Sequence, residues 1–302
     1  MEDIYFIDRI TKKQEKEKVY GRVFLEALYG SSSICKMISF FLRPLFAKVP
    51  LLSKMYGAFQ KSSLSRWKIG PFIKTFQMDP SEFLEPVENF RSFNDFFIRK
   101  LKISSRPIAP DKHVAVLPAD ARYLVFPNIE KSDGFFVKGK KFSLIELLGS
   151  PALAEKYAGG GLVMARLCPV DYHRFHFPFG CIASQPQLIN GPLYSVNPIA
   201  LRKNISILSE NKRMITELTS SVFGKVLYIE VGATYVGSIE QTFTSGKMHE
   251  KGEEKGFFSF GGSSLILLFE RDKIKFDEDL VEASKKHIET RGLLGQSLGR
   301  SI

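Results

Sequence analysis

Four residues of this chain have side chains suited to acid–base and nucleophilic chemistry. They are Asp120, His173, His176 and Ser263. An imidazole can take a proton from a serine hydroxyl, and a carboxylate can orient that imidazole, as in a serine triad. Asp120 follows a Pro-Ala pair, the histidines stand three apart in an aromatic run, and Ser263 follows two glycines. The residue types are therefore compatible with a nucleophilic serine, although each segment also has a plainer interpretation.

The plainer interpretations are structural. A carboxylate after Pro-Ala is typical of a loop that binds its own backbone, and a Gly-Gly-Ser-Ser segment that enters a strand is typical of a turn or bulge. The two histidines could also be satisfied structural residues. With Cys168 and Cys181 they could ligate a metal, but the spacing lacks the usual second Cys or His pair. We therefore expect no metal site.

The elements that must position these residues fall into two regions. Residues 1–105 are predicted to be mostly helical, with apolar side chains at helical spacing over residues 12–29. Ser92 suits the N-cap of a further helix. The inward residues of that helix are expected to be Phe93, Phe96, Phe97 and Leu101.

Residues 106–302 are predicted to be β-rich. Short runs of Val, Ile, Leu, Tyr and Phe, several of them separated by Gly, Pro, Asn or Asp, are typical of strands. One late helix is predicted over residues 277–291, with Asp277 at its N-cap and Gly292 as its stop. The predicted class is α+β, with a helical N-terminal region and a β-rich catalytic domain.

Positive charge is concentrated in the helical region. The chain has a net charge of +11, and the stretch from Ala27 to Met78 holds eight basic residues, nine aromatic residues and no acidic residue. This composition predicts a region that rests on an anionic membrane without crossing it, although a packed helical domain with a basic face would look similar. No nucleic-acid motif accompanies the charge. Three cysteines and a charged N-terminal segment favour the cytoplasmic face.

Taken together, the chemistry-bearing segments resemble the phosphatidylserine decarboxylases, in the same order from about residue 90 to 270. The matching segments are Phe93-Asn94-Asp95-Phe96-Phe97, Pro118-Ala119-Asp120, Pro169 to His176, Val231 to Ile239, and Lys251-Gly252-Glu253-Glu254 leading into Phe260-Gly261-Gly262-Ser263-Ser264. Two positions depart from the family pattern: Ala121 stands where many members have Gly, and Ser264 where many have Thr. Both changes are small and concern loop geometry more than the reaction.

The resemblance implies an enzyme that cuts itself. In this scheme His176, oriented by Asp120, takes the proton of Ser263, whose oxygen attacks the Gly262 carbonyl. The glycines before the serine would allow the close approach that this attack requires. The products would be a large chain, residues 1–262, and a small chain, residues 263–302, which remain together as a heterodimer. Ser263 would become a covalent pyruvoyl cofactor at the start of the small chain.

The resemblance also implies the reaction. The amine of phosphatidylserine would form a Schiff base with the pyruvoyl group, which accepts the electron pair left by carbon dioxide and so leads to phosphatidylethanolamine. His173 is implied for proton transfer, and Phe175, Phe177 and Phe179 for the walls of a dry site. The implied partner is phosphatidylserine in an anionic membrane. The assembly of heterodimers into larger oligomers is left open.

Two other functions are compatible with the residues. The first is a hydrolase that uses Asp120, His176 and Ser263 on an external lipid or ester. A lipase-type elbow has Gly two positions before and two after its serine, and here Gly261 fits but Leu265 does not. The second is a non-enzymatic protein that binds membrane surfaces through the basic, aromatic region.

Overall fold

The computed structural model describes residues 3–19, 50–130, 136–137, 140–141, 143–201, 204–233, 238–259 and 263–302. These residues form nineteen strands and eight helices, so the protein is a β-rich α+β protein. The strands are β1 Tyr5–Asp8, β2 Gln14–Lys16, β3 Val114–Val116, β4 Ala121–Phe126, β5 Phe136–Val137, β6 Lys140–Lys141, β7 Leu162–Leu167, β8 Arg174–His176, β9 Cys181–Ala183, β10 Gln187–Ile189, β11 Arg213–Ser220, β12 Gly224–Gly232, β13 Ile239–Gln241, β14 Met248–His249, β15 Glu254–Phe258, β16 Ser263–Phe269, β17 Ile274–Phe276, β18 Glu289–Gly292 and β19 Ser297–Ser301. The helices are α1 Pro50–Lys61, α2 Ile69–Phe76, α3 Phe93–Phe97, α4 Leu144–Leu148, α5 Pro151–Tyr157, α6 Pro198–Leu201, α7 Ile207–Glu210 and α8 Glu278–Lys285.

An eleven-stranded sheet forms the centre of the fold. Its order is β14-β9-β11-β12-β16-β7-β4-β18-β1-β2, and β10 pairs with β11. Its strand pairs are antiparallel except for β1 with β18. All seven residues of β16 are buried, as the unbroken apolar run after its two serines indicates. The strand that begins with Ser263 is therefore held on both sides by neighbouring strands.

Two hydrophobic cores cover the two faces of this sheet. Side chains alternate along β16: Leu265 and Leu267 enter an aromatic-rich core, whereas Ile266 and Leu268 enter a second core. Two smaller sheets, β13-β15-β8 and β17-β19-β3, contribute side chains to the first core. Helices α4, α5, α6 and α7 contribute to the second. Each fully buried large apolar side chain stabilises such a core by about 1.5–3 kcal/mol.

The first described segment joins the sheet. Strand β1 pairs with β2 and, in parallel, with β18. The helix predicted over residues 12–29 is therefore wrong for Gln14–Lys16, which form a strand; residues 20–29 lie outside the described residues. Tertiary pairing at a sheet edge overrides local helical spacing here.

Residues 50–105 contain α1, α2, α3 and short 3₁₀ turns. The predicted capped helix is confirmed, because the Ser92 hydroxyl accepts a hydrogen bond from the Asp95 amide at 3.1 Å. Its phenylalanines are fully buried in a third, aromatic cluster. The helix ends at Phe97, and Leu101 instead forms a β-bridge with Phe83. In the part of the chain that the structure describes, every helix is too short or too polar to cross a bilayer.

The predicted late helix is present but shorter than expected. Helix α8 follows Asp277 and ends at Lys285. His287 then adopts a positive φ of 56°, and Glu289–Gly292 form strand β18 between β1 and β4. The prediction beyond residue 285 is therefore wrong. Residues 289–292 form hydrogen bonds with the neighbouring strands β1 and β4 instead of helical hydrogen bonds.

Candidate active site

Ser263 stands at the first position of β16. Its backbone pairs with Gly232 on one side and Leu167 on the other. By strand alternation its side chain shares the sheet face of Leu265, toward the aromatic-rich core. The residue is fully buried, and its Oγ has no hydrogen-bond partner among the described residues. A buried hydroxyl without a partner destabilises the fold by about 1–3 kcal/mol. A serine with a purely structural role is therefore unfavourable at this position.

Backbone hydrogen bonds bring the three predicted segments together. The amide of His176 donates to the Pro118 carbonyl at 2.8 Å, which joins the histidine run to the Pro-Ala-Asp segment. The amide of Phe258 donates to the His173 carbonyl at 2.9 Å. Phe258 ends the strand that precedes Ser263 in the sequence. Segments that are distant in the sequence thus meet around β8.

The ring of His176 is held at both nitrogens. Nδ1 lies 2.9 Å from the Gly252 carbonyl oxygen, and Nε2 lies 3.2 Å from the Tyr172 hydroxyl. A carbonyl only accepts, so Nδ1 carries the proton and Nε2 accepts from the tyrosine. Burial lowers the pKa of His176 because it disfavours the imidazolium. The structure therefore presents a neutral imidazole whose basic atom is Nε2.

The Asp120 carboxylate is held by Arg106. Nε of Arg106 lies 3.0 Å from each carboxylate oxygen, and Nη2 lies 2.7 Å from Oδ2. The Leu294 amide also donates to Oδ1 at 2.8 Å. The hydrogen bonds of the His176 ring go elsewhere, so Asp120 does not orient this ring by direct contact; its negative charge acts on His176 from a distance. No signal in the sequence predicts the role of Arg106, since nothing in its spacing sets it apart from other arginines.

His173 is fully buried beside the helical region. Its Nδ1 donates to the Asp171 carbonyl at 3.0 Å, and its ring lies against Phe97, with the centroids 3.9 Å apart. Phe97 ends α3. The predicted capped helix therefore supplies one wall beside this histidine.

The phenylalanines predicted as site walls belong to the aromatic-rich core. Phe175 packs against Phe258, and Phe179 stacks on Phe223 with centroids 4.7 Å apart. Phe177 stacks on His249 with the two rings only 10° from parallel. These contacts assign the three rings to the packing beneath β8, and Phe97 is the aromatic side chain shown in contact with His173.

An ion-pair network lies on the other face of the sheet. Arg166 contacts Glu17 at 2.7 Å and Glu289 at 2.5 Å, and Arg122, which pairs with Arg166 across β4 and β7, contacts Asp171. Burial raises the pKa of Glu17, but the charge and hydrogen bonds of Arg166, the charge of Arg122 and a hydrogen bond with Cys168 together outweigh it and lower that pKa to about 2. The network ties the first described segment, the loop before the histidines and β18 to one another. Residue spacing does not predict these ion pairs, because they join segments far apart in the chain.

The two described cysteines lie outside any metal cluster. Both Cys168 and Cys181 are buried and free. Burial raises the pKa of both thiols, that of Cys181 to about 12, so neither readily forms the thiolate that binds metals. Within the described ranges no three His, Cys, Asp or Glu side chains come together as a metal site.

Comparisons with known proteins identify the family of this chain. The family model described as phosphatidylserine decarboxylase matches residues 93–300. Among similar relatives, the phosphatidylserine decarboxylase proenzyme of Chlamydia pneumoniae is 48% identical over 301 residues, covering 100% of this chain and 98% of the relative. The proenzyme of Chlamydia felis is 48% identical over 302 residues, covering 100% and 99%. That of Chlamydia muridarum is 47% identical over 303 residues, covering 99% and 98%. This chain belongs to the phosphatidylserine decarboxylase family.

Proposed function

We propose that this protein removes the carboxylate of phosphatidylserine, giving phosphatidylethanolamine and carbon dioxide, after it cuts its own chain between Gly262 and Ser263. One observation carries the proposal: the Ser263 hydroxyl is buried at the start of the central strand and has no hydrogen-bond partner among the residues that the structure describes. Relatives that match the whole chain are named proenzymes, which is consistent with a precursor that is processed.

The proposed self-cleavage uses residues of the chain alone. Nε2 of His176 accepts the Ser263 proton, and Oγ attacks the Gly262 carbonyl carbon. The peptide C–N bond then breaks, so an ester replaces the amide and the Ser263 nitrogen becomes an amine. Loss of the Cα proton expels Gly262 as a carboxylate and leaves dehydroalanine. Water then replaces the nitrogen, which leaves as ammonia, and residue 263 becomes a pyruvoyl group.

A pyruvoyl group supplies a ketone that captures the substrate amine and accepts the electron pair released with carbon dioxide. Ser263 fits this conversion because it is buried on the face of the aromatic-rich core, where water is scarce. His173 is the proposed proton donor to the substrate carbon. Its ring is fixed by the Asp171 carbonyl and by Phe97, so its orientation does not depend on substrate.

The proposed small chain would stay bound after the cut. Residues 263–302 contribute β16, which pairs with β12 and β7, and β18, which pairs with β1 and β4. Strand β19 pairs with β3. Two strands of the small chain are thus inserted between strands of the large chain, and a third pairs with the large chain on one side, which supports a stable heterodimer.

The proposed location is the surface of an anionic membrane. After α1, a 3₁₀ turn presents Leu64 and Trp67, which are 72% and 70% exposed. Lys61, Arg66 and Lys74 are exposed nearby in the sequence. Exposed apolar side chains flanked by cations suit peripheral binding to anionic lipid. Anionic lipids are concentrated in the cytoplasmic leaflet, so that face is the proposed one.

Intact-mass spectrometry of the purified protein tests the proposal. The expected result is two chains, with a small chain that starts at residue 263 and reacts with a carbonyl reagent. Ser263→Ala should stay whole and be inactive on phosphatidylserine. A hydrolase would stay whole and cleave esters, and a binding protein would stay whole and inert. An active, uncut wild-type chain with an ordinary serine would overturn the proposal.

A further inference from the structure

Arg99 is a buried cation that no described carboxylate neutralises by contact. The residue is 5% exposed, and the described residues place no carboxylate within ion-pair distance of it. Its guanidinium donates three hydrogen bonds at 3.4 Å, to the carbonyls of Phe96, Val170 and Asp171, and its Nε has no partner among the described residues. Protein N–H···O bonds are normally 2.7–3.2 Å long, so these contacts compensate the buried charge poorly.

The other buried arginines of the described chain are compensated. Arg106, Arg122, Arg166 and Arg174 each contact at least one carboxylate. Arg213 contacts none, but donates to three carbonyls at 2.7, 2.9 and 2.6 Å. A buried guanidinium is costly unless it is paired and well hydrogen-bonded. Arg99 therefore differs from these arginines, because some of its N–H groups remain available to bind an anion.

The position of Arg99 relates it to the proposed reaction centre. The Asp171 carbonyl accepts from Nη2 of Arg99 and also from Nδ1 of His173. One oxygen atom thus separates the guanidinium from the proposed proton donor. The guanidinium also packs on the rings of Phe83 and Phe96, each with its centroid 5.0 Å away, which limits its movement.

We propose that Arg99 binds the phosphodiester of the substrate headgroup. The inference rests on the proposed function. A planar guanidinium matches the two non-bridging oxygens of a phosphodiester, which share one negative charge, and this anion would supply the missing compensation. The headgroup carboxylate is the less suitable partner, because it loses its negative charge as it becomes neutral carbon dioxide, so its binding would stabilise the ground state more than the transition state.

Inhibition by short-chain phosphatidylethanolamine separates the two anions, because this product keeps the phosphodiester and lacks the carboxylate. In Arg99→Gln, we expect KM for short-chain phosphatidylserine and Ki for the product to rise together. The expected rise is about 10- to 100-fold, which corresponds to the free energy of hydrogen bonds to a charged group. Self-cleavage should be unchanged, since it uses no external anion. Arg99→Lys should recover part of the affinity.

Arg213→Lys is the matched control: it should lower thermal stability and leave Ki unchanged. A higher KM with an unchanged Ki in Arg99→Gln would assign Arg99 to the carboxylate and overturn the proposal, as would no change in either constant. If Arg99→Gln does not fold, Arg99→Lys provides the test. A Ki for the product raised several-fold would support the proposal, and an unchanged Ki would overturn it. Wild-type protein that is uncut and inactive would instead contradict the proposed function.

Discussion

The hydroxyl of Tyr172 lies 3.2 Å from Nε2 of His176, the nitrogen proposed to take the proton of Ser263. The two rings are also stacked, 29° from parallel. In the uncut chain the tyrosine thus donates to the lone pair that self-cleavage requires. His176 must exchange this donor for the serine hydroxyl before the chain can be cut.

We predict that Tyr172→Phe shifts the pH dependence of self-cleavage. A donor at Nε2 stabilises the neutral imidazole, so its removal should raise the pKa of His176, which burial otherwise lowers. The base works only when neutral, and the acidic limb of the rate profile should therefore move to higher pH, by roughly 0.4–1 unit for a neutral hydrogen bond. Cleavage of protein made by cell-free translation at several pH values measures it. A limb that stays in place would show that Tyr172 does not act on Nε2.

The contact between Arg106 and Asp120 predicts a strong loss of stability when one partner is removed. Both side chains are nearly inaccessible, 8% and 6% exposed. Among the described residues, Arg106→Gln would leave the buried carboxylate with the Leu294 amide as its donor, at a cost of about 3–5 kcal/mol in the free energy of unfolding.

The double variant Arg106→Gln/Asp120→Asn is the control, because it removes the stranded charge. Its unfolding free energy in urea should be closer to wild type than that of Arg106→Gln. Additive losses would mean that the pair is not coupled. Asp120→Asn should also slow self-cleavage, since His176 loses a nearby negative charge that favours its protonated form.

Glu17 predicts a specific loss of stability in acid. Its pKa is about 2 in the fold, below the ordinary glutamate value of 4.5 expected in the unfolded chain. A lowered pKa means that the unfolded chain binds the proton first as pH falls, so the stabilisation is complete above about pH 4.5 and disappears toward pH 2. The shift corresponds to about 3 kcal/mol. Glu17→Gln should therefore be less stable than wild type by that order at pH 7 in urea unfolding. The difference should vanish near pH 2, and a constant difference would contradict the assignment.

The sequence predicted those helices and strands that are determined by neighbouring residues in the chain. Ser92 and the buried Phe93 and Phe97 follow helical spacing and capping, and the apolar run of β16 follows strand composition. Local spacing failed at Gln14–Lys16 and at Glu289–Gly292, where short strands are selected by partners elsewhere in the sheet.

Some residues of the candidate site could be predicted from the sequence, and others could not. Asp120, His176 and Ser263 were found from motifs, because each stands in a recognisable segment. Arg106 and Tyr172 were not assigned roles, since their importance lies in contacts with Asp120 and His176 that form only on folding. Residue types can therefore suggest a base and a nucleophile, whereas the groups that hold them must be observed in the fold.

Trp67 provides the test of the membrane surface. Its side chain is 70% exposed within a stretch without acidic residues. Replacing Trp67 with Ala removes apolar area that would enter the lipid interface, and should weaken binding to phosphatidylserine-containing vesicles roughly tenfold. Ile103→Ala is the matched control, since Ile103 is 91% exposed but lies outside this stretch, and its loss should leave binding unchanged. Cosedimentation with vesicles measures both, and added salt should weaken the wild-type binding because the lysines and arginines become screened. Equal binding by Trp67→Ala and wild type would exclude this turn from the membrane contact.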